Sequence, residues 1–263
     1  MFHSLPGDPE KVITPDITIN HASLSYANQL IFSDINLTIS SGQWVALLGP
    51  SGIGKSSLLR LIAGLSSPQE QTRAQITASN DIPVHRQIAY MAQSDLLLPW
   101  MTVLDNATLG MKLRNNTLNK QDHIQCAISL LTQVGLERSL HLYPHQLSGG
   151  MRQRVALVRT LMEDKPIVLM DEPFSALDAI TRYKLQSLSA ELLKDKTVLF
   201  ITHDPTEALR LAHTIYIMQG QPATLKFISS LSSSTPRVLS DPELTSLQTL
   251  LFDELSQAAG AAA

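Results

Sequence analysis

The chain has 263 residues, 44% hydrophobic and 16% charged, enough to build a sizeable core as one large domain or two joined subdomains. Its 20 basic and 23 acidic side chains leave a net charge of −3, which removes any bulk electrostatic attraction to nucleic acid. The single cysteine, Cys126, excludes an intramolecular disulfide framework and a multi-cysteine metal site, and its setting IQCAISLL reads as an ordinary packed helix face.

The first sixteen residues carry three prolines and read as a loose lead-in without the basic and apolar regions of a signal peptide. No stretch reaches the roughly 18–20 consecutive apolar residues that span a bilayer, so a soluble, cytoplasmic chain is expected, meeting any membrane through a partner. From Ile17, ITINHASLSYANQLIFSDINLTIS alternates in strand-like runs broken at Asn28-Gln29 and Asp34, an antiparallel patch. WVALLG has the length of a strand and ends in a glycine-rich turn, and SSLLRLIAGL then shows helical spacing. Ser66 to Arg86 is polar and shows no periodicity that assigns it. IAYMAQ reads as a short strand.

Next comes SDLLLPWMTVLDN, Ser94 to Asn106, with seven apolar residues and a proline in nine positions and no regular alternation. Leu96 to Leu98 suit core packing, whereas Pro99-Trp100-Met101 is hard to bury wholly. Thr102 is placed to cap a following helix. LNKQDHIQCAISLLTQVGL has a helical period with Gly135 at its C-terminus, and MRQRVALVRTLMEDK is a second helix. PIVLMDEP is a buried strand ending in two carboxylates. YKLQSLSAELLKDK, TVLFITHD and DPTEALRLA follow as helix, strand and helix, an alternation that predicts an α/β fold with a mostly parallel sheet. Beyond Gly220 lie a serine-rich stretch, a predicted helix ELTSLQTLLFDELSQ, and AAGAAA as a frayed end. There is no internal repeat.

Gly49-Pro50-Ser51-Gly52-Ile53-Gly54-Lys55-Ser56 matches G-x-x-x-x-G-K-[ST], with a strand before it and a helix after it. Glycines let backbone N–H groups turn inward around phosphate oxygens, and the helix N-terminus adds a favourable dipole. Lys55 can reach β- and γ-phosphates, and the Ser56 hydroxyl can ligate Mg²⁺. IVLMDE supplies what such a loop needs from a neighbouring strand. Adjacent carboxylates at the end of a buried strand are costly unless a cation or a catalytic task uses them. Asp171 would hold Mg²⁺, and Glu172 would polarise the attacking water as a general base. Ser148-Gly149-Gly150 at a helix start offers a hydroxyl, bare N–H groups and a dipole, a second place suited to an anion.

With LSGGMRQR, SALD and ITHD in that order, residues 17–220 resemble the ATP-binding subunits of ABC transporters. The resemblance implies a P-loop NTPase with an N-terminal antiparallel patch and an inserted helical subdomain at roughly 95–160, between the lead-in 1–16 and a C-terminal extension 221–263. It implies ATP and Mg²⁺ as cofactors, Tyr26 stacking on adenine, Ser57 beside the phosphate loop, and Gln93 as the Q-loop glutamine and a magnesium contact. It further implies Ser148, Gly149 and Gly150 as the signature, Asp178 in the D-loop, and His203 as the switch histidine acting with Glu172 in hydrolysis. Met151 stands where the wider family usually has glutamine. The family's arrangement is a head-to-tail homodimer with each ATP between one phosphate loop and the other subunit's signature. The segment after Gln93 would line a groove for a helix of a transmembrane permease, with docking near Leu96, Pro99, Trp100 and Met101.

Within the family, LLPWMTVLDN and the short tail resemble importers of the nitrate, sulfonate, taurine and pyrimidine (thiamine-precursor) group. That implies a place on the cytoplasmic face of the membrane, with a solute-binding protein as an indirect partner and no nucleic acid. The alternative within the family is a soluble ATPase acting on nucleic acid or ribosomes, which typically carries a long inserted coiled coil or a second cassette; neither is present here.

Overall fold

The computed structural model describes residues 14–114, 120–238 and 240–261. Residues 14–16 are anchored rather than loose. The Thr14 hydroxyl donates to Asp195 O (2.6 Å), Pro15 O accepts from the Thr197 hydroxyl (2.9 Å), and the Asp16 carboxylate accepts from Ser41 N (2.6 Å). The rest of the expected lead-in, 1–13, lies outside the described residues, as do Leu118 and Asn119 at the start of a predicted helix.

β1 (Ile17–Tyr26) and β2 (Gln29–Ile39) form an antiparallel hairpin. Its turn is Ala27-Asn28, with φ of 47° and 65°, the positive pair that suits a two-residue hairpin; Gln29 already belongs to β2. Asp34 does not break that strand. It bulges at φ 51°, and its carboxylate lies 2.6 Å from His21 Nδ1, itself at φ 52° on β1. β3 (Trp44–Leu48) and α1 (Lys55–Ile62) follow. The unassigned polar stretch then supplies β4 (Glu70–Ala78), which pairs antiparallel with β1 to give a sheet of order β2-β1-β4. β4 is exposed along most of its length, so it has no apolar face to produce a period of two.

The second sheet has six strands in the order β5-β6-β7-β3-β8-β9: β5 (Ile88–Met91), β6 (Ile167–Asp171), β7 (Thr197–Ile201), β8 (Thr214–Gln219) and β9 (Thr224–Ser230). All neighbours are parallel except β9, which runs back along β8 beyond Gly220. β3, β6 and β7 are buried at every residue because helices or the other sheet cover both faces. Their side chains alternate between two cores. Val45 and Leu47 pack with α1, β1 and β2, whereas Trp44, Ala46 and Leu48 pack on the opposite side, where Trp44 meets the edge of Phe200 at 5.7 Å. Burying each such side chain stabilises the fold by about 1.5–3 kcal/mol. A bridge between Phe32 and Ala223 joins the two sheets.

Between β5 and β6 the chain forms α2 (Val103–Ala107), α3 (Leu109–Leu113), α4 (Lys120–Gln133) and α5 (Gly149–Leu161). Gly135, at φ 72°, ends the turn after α4, and Cys126 packs half-buried beside the core with its thiol pKa pushed up by burial. α6 (Ala179–Leu192) and α7 (Pro205–Leu211) flank β7. α8 (Pro242–Ala261) packs on α7 and β8 and continues through Ala258, which is 3% exposed. The expected frayed end is therefore helical as far as it is described, packed at Ala258 and exposed at Ala259 and Gly260. Among the described residues no helix is long and apolar enough to cross a membrane.

Candidate nucleotide site

The phosphate loop joins the C-terminal end of β3 to α1, and Gly49 and Gly54 are there for space. A Cβ on Gly49 (φ 144°) would lie 2.5 Å from Met218 O, and one on Gly54 (φ 106°) 2.8 Å from Ile31 Cγ2. Gly52 (φ 79°) opens onto nothing within 4 Å, and Ser51 and Gly52 are exposed, while Ile53 anchors the loop in the core. The loop thus presents bare backbone over a helix N-terminus, a cradle for phosphate. Lys55 is buried and curls over it, with Nζ donating to Gly49 O and Pro50 O at 2.7 Å each. Burial lowers the Lys55 pKa, and the nearby Glu172 and Asp171 pull it back up. Ser57 lies in the first turn of α1, its hydroxyl accepting from Arg60.

Asp171 ends β6 at 3% exposure. Its Oδ1 is buried with no hydrogen-bond partner, and burial raises its pKa against the opposing pull of the neighbouring Ser56 hydroxyl. An orphaned buried carboxylate oxygen beside a serine hydroxyl fits a hard divalent cation such as Mg²⁺. Among the described residues no three His, Cys, Asp or Glu converge as a metal cage. The ion's other ligands would be nucleotide oxygens and water, the usual arrangement for Mg²⁺ beside a phosphate loop.

Glu172 follows at φ 49°, a left-handed conformation that costs a non-glycine residue about 1–3 kcal/mol. Its N–H donates to Ile201 O (3.1 Å), and its carbonyl accepts from Gln153 Nε2 (2.9 Å) and the Ser175 hydroxyl (3.1 Å). Its Oε2 lies 3.3 Å from Gln93 Nε2 and 3.5 Å from His203 Nδ1. The structure thus gathers Gln93, Glu172 and His203 just past the ends of β5, β6 and β7. Beside them is a small pocket lined by Glu172, Ser175, Arg182, Thr202, His203, Asp204 and Glu207. Buried Glu207, its pKa raised by burial, accepts from the Thr202 hydroxyl (2.6 Å), which in turn accepts from Asp204 N (3.0 Å); these bonds fix the turn that carries His203.

Ser148 caps α5, its hydroxyl accepting from Met151 N at 3.3 Å. A Cβ on Gly150 would meet Ala176 O at 3.1 Å, so the helix start lies close against the segment after Glu172. Asp178 caps α6 by accepting from Thr181 N (3.0 Å), a bond that lowers its pKa. Ser148, Gly149 and Asp178 are exposed; the glycines' near neighbours are Arg152, Ala176 and Leu177, not the phosphate loop. Tyr26 ends β1, half exposed.

Of Leu96 to Leu98, after Gln93, only Leu97 is core. Leu96 is 62% exposed at φ 47° and Leu98 is half-buried, so the expectation of a buried Leu96–Leu98 run fails for Leu96. Pro99 is exposed, Trp100 is 70% exposed, and Met101 is half-buried. Three residues missed by sequence reasoning hold this segment and the bend after Glu172. Fully buried Asn106 accepts from Leu98 N (2.8 Å) and donates to Leu98 O, Met101 O and Thr102 O. Arg159 on α5 donates to Asp95 O and Leu96 O. Gln153 is 6% exposed and bridges Glu172 to Ala176. No sequence signal distinguishes them from polar residues facing water. Thr102 does cap α2, accepting from Asp105 N.

Comparison with known proteins gives this geometry its family. The ABC transporter family model matches residues 32–175, just over half the chain. An uncharacterized ABC transporter ATP-binding protein of Haemophilus influenzae is 41% identical over 242 residues, 91% of this chain and 98% of the relative. The aliphatic sulfonates import ATP-binding protein SsuB 1 of Paracoccus denitrificans is 39% identical, over 80% of this chain and 81% of its own. Among solved structures, a dimeric ATP-binding cassette in a post-hydrolysis state bound to ADP and Pi is 28% identical and superposes with a TM-score of 0.70, over 82% of this chain and all of its own. The chain belongs to the ABC transporter family, as an ATP-binding subunit that hydrolyses ATP.

Proposed function

We propose that the chain is the ATPase subunit of an importer for a small polar solute, held at the cytoplasmic face of the membrane by a transmembrane permease. The observation that carries this reading is one run of chain. Gln93 touches Glu172, and within seven residues the same segment exposes Leu96 and Trp100, large apolar side chains held outward by Asn106 and Arg159. Exposed apolar residues on a rigid frame suit a helix-in-groove contact. Similarity to an aliphatic sulfonate importer subunit points to the same class and to solutes of that kind.

In this reading two copies of the chain close head to tail on ATP. Gly49 to Gly54 cradle the phosphates, Lys55 leaves its loop carbonyls to meet them, and Tyr26 stacks on adenine. Ser148, Gly149 and Gly150 of the second copy cover the same nucleotide, with Asp178 ordering the facing site. When bound, MgATP supplies the electrophilic γ-phosphorus, its leaving group and the charge that Ser56, Asp171 and Gln93 hold. Glu172 accepts the proton of the attacking water, and His203, 3.5 Å from that carboxylate, steadies it. A solute-binding protein would act indirectly, through the permease.

The test is purification of the tagged chain from gently solubilised membranes. A multi-spanning partner, with uptake of a labelled aliphatic sulfonate lost when the chain is deleted, supports the reading. Recovery with ribosomes or RNA, and uptake unchanged, supports a soluble ATPase instead.

A further inference from the structure

We propose that Gln153 is a positioning residue for Glu172, holding the catalytic carboxylate through the backbone that bears it. The proposal rests on the reading of Glu172 as general base. The carboxylate itself is lightly held, since its contacts with Gln93 and His203 are 3.3 and 3.5 Å. Its aim is therefore set by the main chain, and that main chain is in an unfavourable left-handed conformation at φ 49°. Something must over-determine it. Glu172 N is tied to Ile201 O on β7, and the carbonyl side is where Gln153 acts.

The Gln153 side chain is 6% exposed and uses both ends of its amide in opposite senses. Nε2 donates to Glu172 O at 2.9 Å, and Oε1 accepts from Ala176 N at 2.8 Å. One planar group thus closes the bend from 172 to 176, with the Ser175 hydroxyl as a second donor to Glu172 O. No apolar side chain of similar volume can do this, and a carboxylate can accept from Ala176 but cannot donate to Glu172. Gln153 also lies three residues after Gly150, whose Cα approaches Ala176 O so closely that a Cβ would stand 3.1 Å away. The first turn of the signature helix thus lies against the segment that Gln153 ties to the backbone of the catalytic carboxylate.

The test is a double-mutant cycle in the full chain with Gln153→Met, Gln153→Glu and Glu172→Gln. Each Gln153 variant should lower kcat for ATP about tenfold or more and leave KM within about twofold, because binding groups are untouched. In the Glu172→Gln background the same substitutions should change the residual rate by less than about twofold, since their effect is spent through Glu172. ATP-driven dimerisation of Glu172→Gln should persist when Gln153→Met is added. Three results overturn the proposal: equal fold losses in both backgrounds, a wild-type rate for Gln153→Glu, or loss of dimerisation. If Gln153→Met does not fold, Gln153→Glu carries the test; failure of both to fold assigns Gln153 a structural role and also overturns it. If Glu172→Gln alone hydrolyses at the wild-type rate, it is the base assignment that falls, separately from any effect of Gln153.

Discussion

Truncating Trp100 to alanine separates a docking residue from a core residue, because its neighbour Leu97 provides the opposite case three positions away. Trp100 is 70% exposed in the isolated chain, so Trp100→Ala removes little buried area and should change folding stability by less than about 0.5 kcal/mol. Leu97 is 9% exposed and packs in the core beneath α2 and α5, so Leu97→Ala should cost about 2–5 kcal/mol. Docking reverses the ranking. A tryptophan buried at the centre of an interface typically contributes 2 kcal/mol or more, which is about a 30-fold loss of affinity when it is removed. Stability is read from urea unfolding of the purified subunit, and docking from the amount of permease recovered with it from co-expressing membranes. A loss of more than about 1 kcal/mol in the isolated Trp100→Ala subunit, or undiminished recovery of the permease, refutes the reasoning.

Asn106→Ala should weaken permease recovery even with Trp100 intact, because Leu98 N, in a half-buried residue, loses its partner; one orphaned group costs about 1–3 kcal/mol, visible in the same urea curves. Gly49→Ala should abolish nucleotide binding in a fluorescent-ATP titration and lower Tm by roughly 4 °C or more, since its Cβ meets an immovable backbone oxygen at 2.5 Å in a left-handed conformation. Asp171→Asn should remove Mg²⁺-dependent hydrolysis yet raise Tm of the nucleotide-free chain near neutral pH. The sign follows from the raised pKa: ionised Asp171 costs the fold stability above its folded pKa, and that cost disappears as pH falls toward the unfolded value. The Tm advantage of the variant should therefore shrink in thermal scans at falling pH, and an advantage that grows instead contradicts it.

Glycines and charges at fixed offsets made the phosphate loop and the Asp171-Glu172 pair readable from sequence, because each residue type there answers one physical need. β3, β6 and β7 were readable because burial on both faces leaves unbroken apolar runs. β4 was not, since an exposed edge strand such as EQTRAQITA needs no apolar face. β9 lay hidden for a related reason, as its side chains are exposed or half-buried throughout. Leu96 misled because hydropathy cannot tell which way a residue points. Bonds from Arg159 to its carbonyl and from Asn106 to Leu98 turn the segment so that, of the three leucines, Leu97 alone enters the core. Gln153 was invisible for the opposite reason: in MRQRVALVRT a polar residue that satisfies a buried bend looks the same as one facing water.

The proposed function requires that two copies of this chain share ATP between phosphate loop and signature, and that Glu172 acts as the general base in its hydrolysis. Sedimentation of purified Glu172→Gln with and without MgATP tests both parts at once. The variant should be a monomer that becomes a stable dimer on adding MgATP, with hydrolysis slowed by about a hundredfold or more, as expected for loss of a general base. A variant that remains monomeric with saturating MgATP, or that turns over ATP at the wild-type rate, would contradict it.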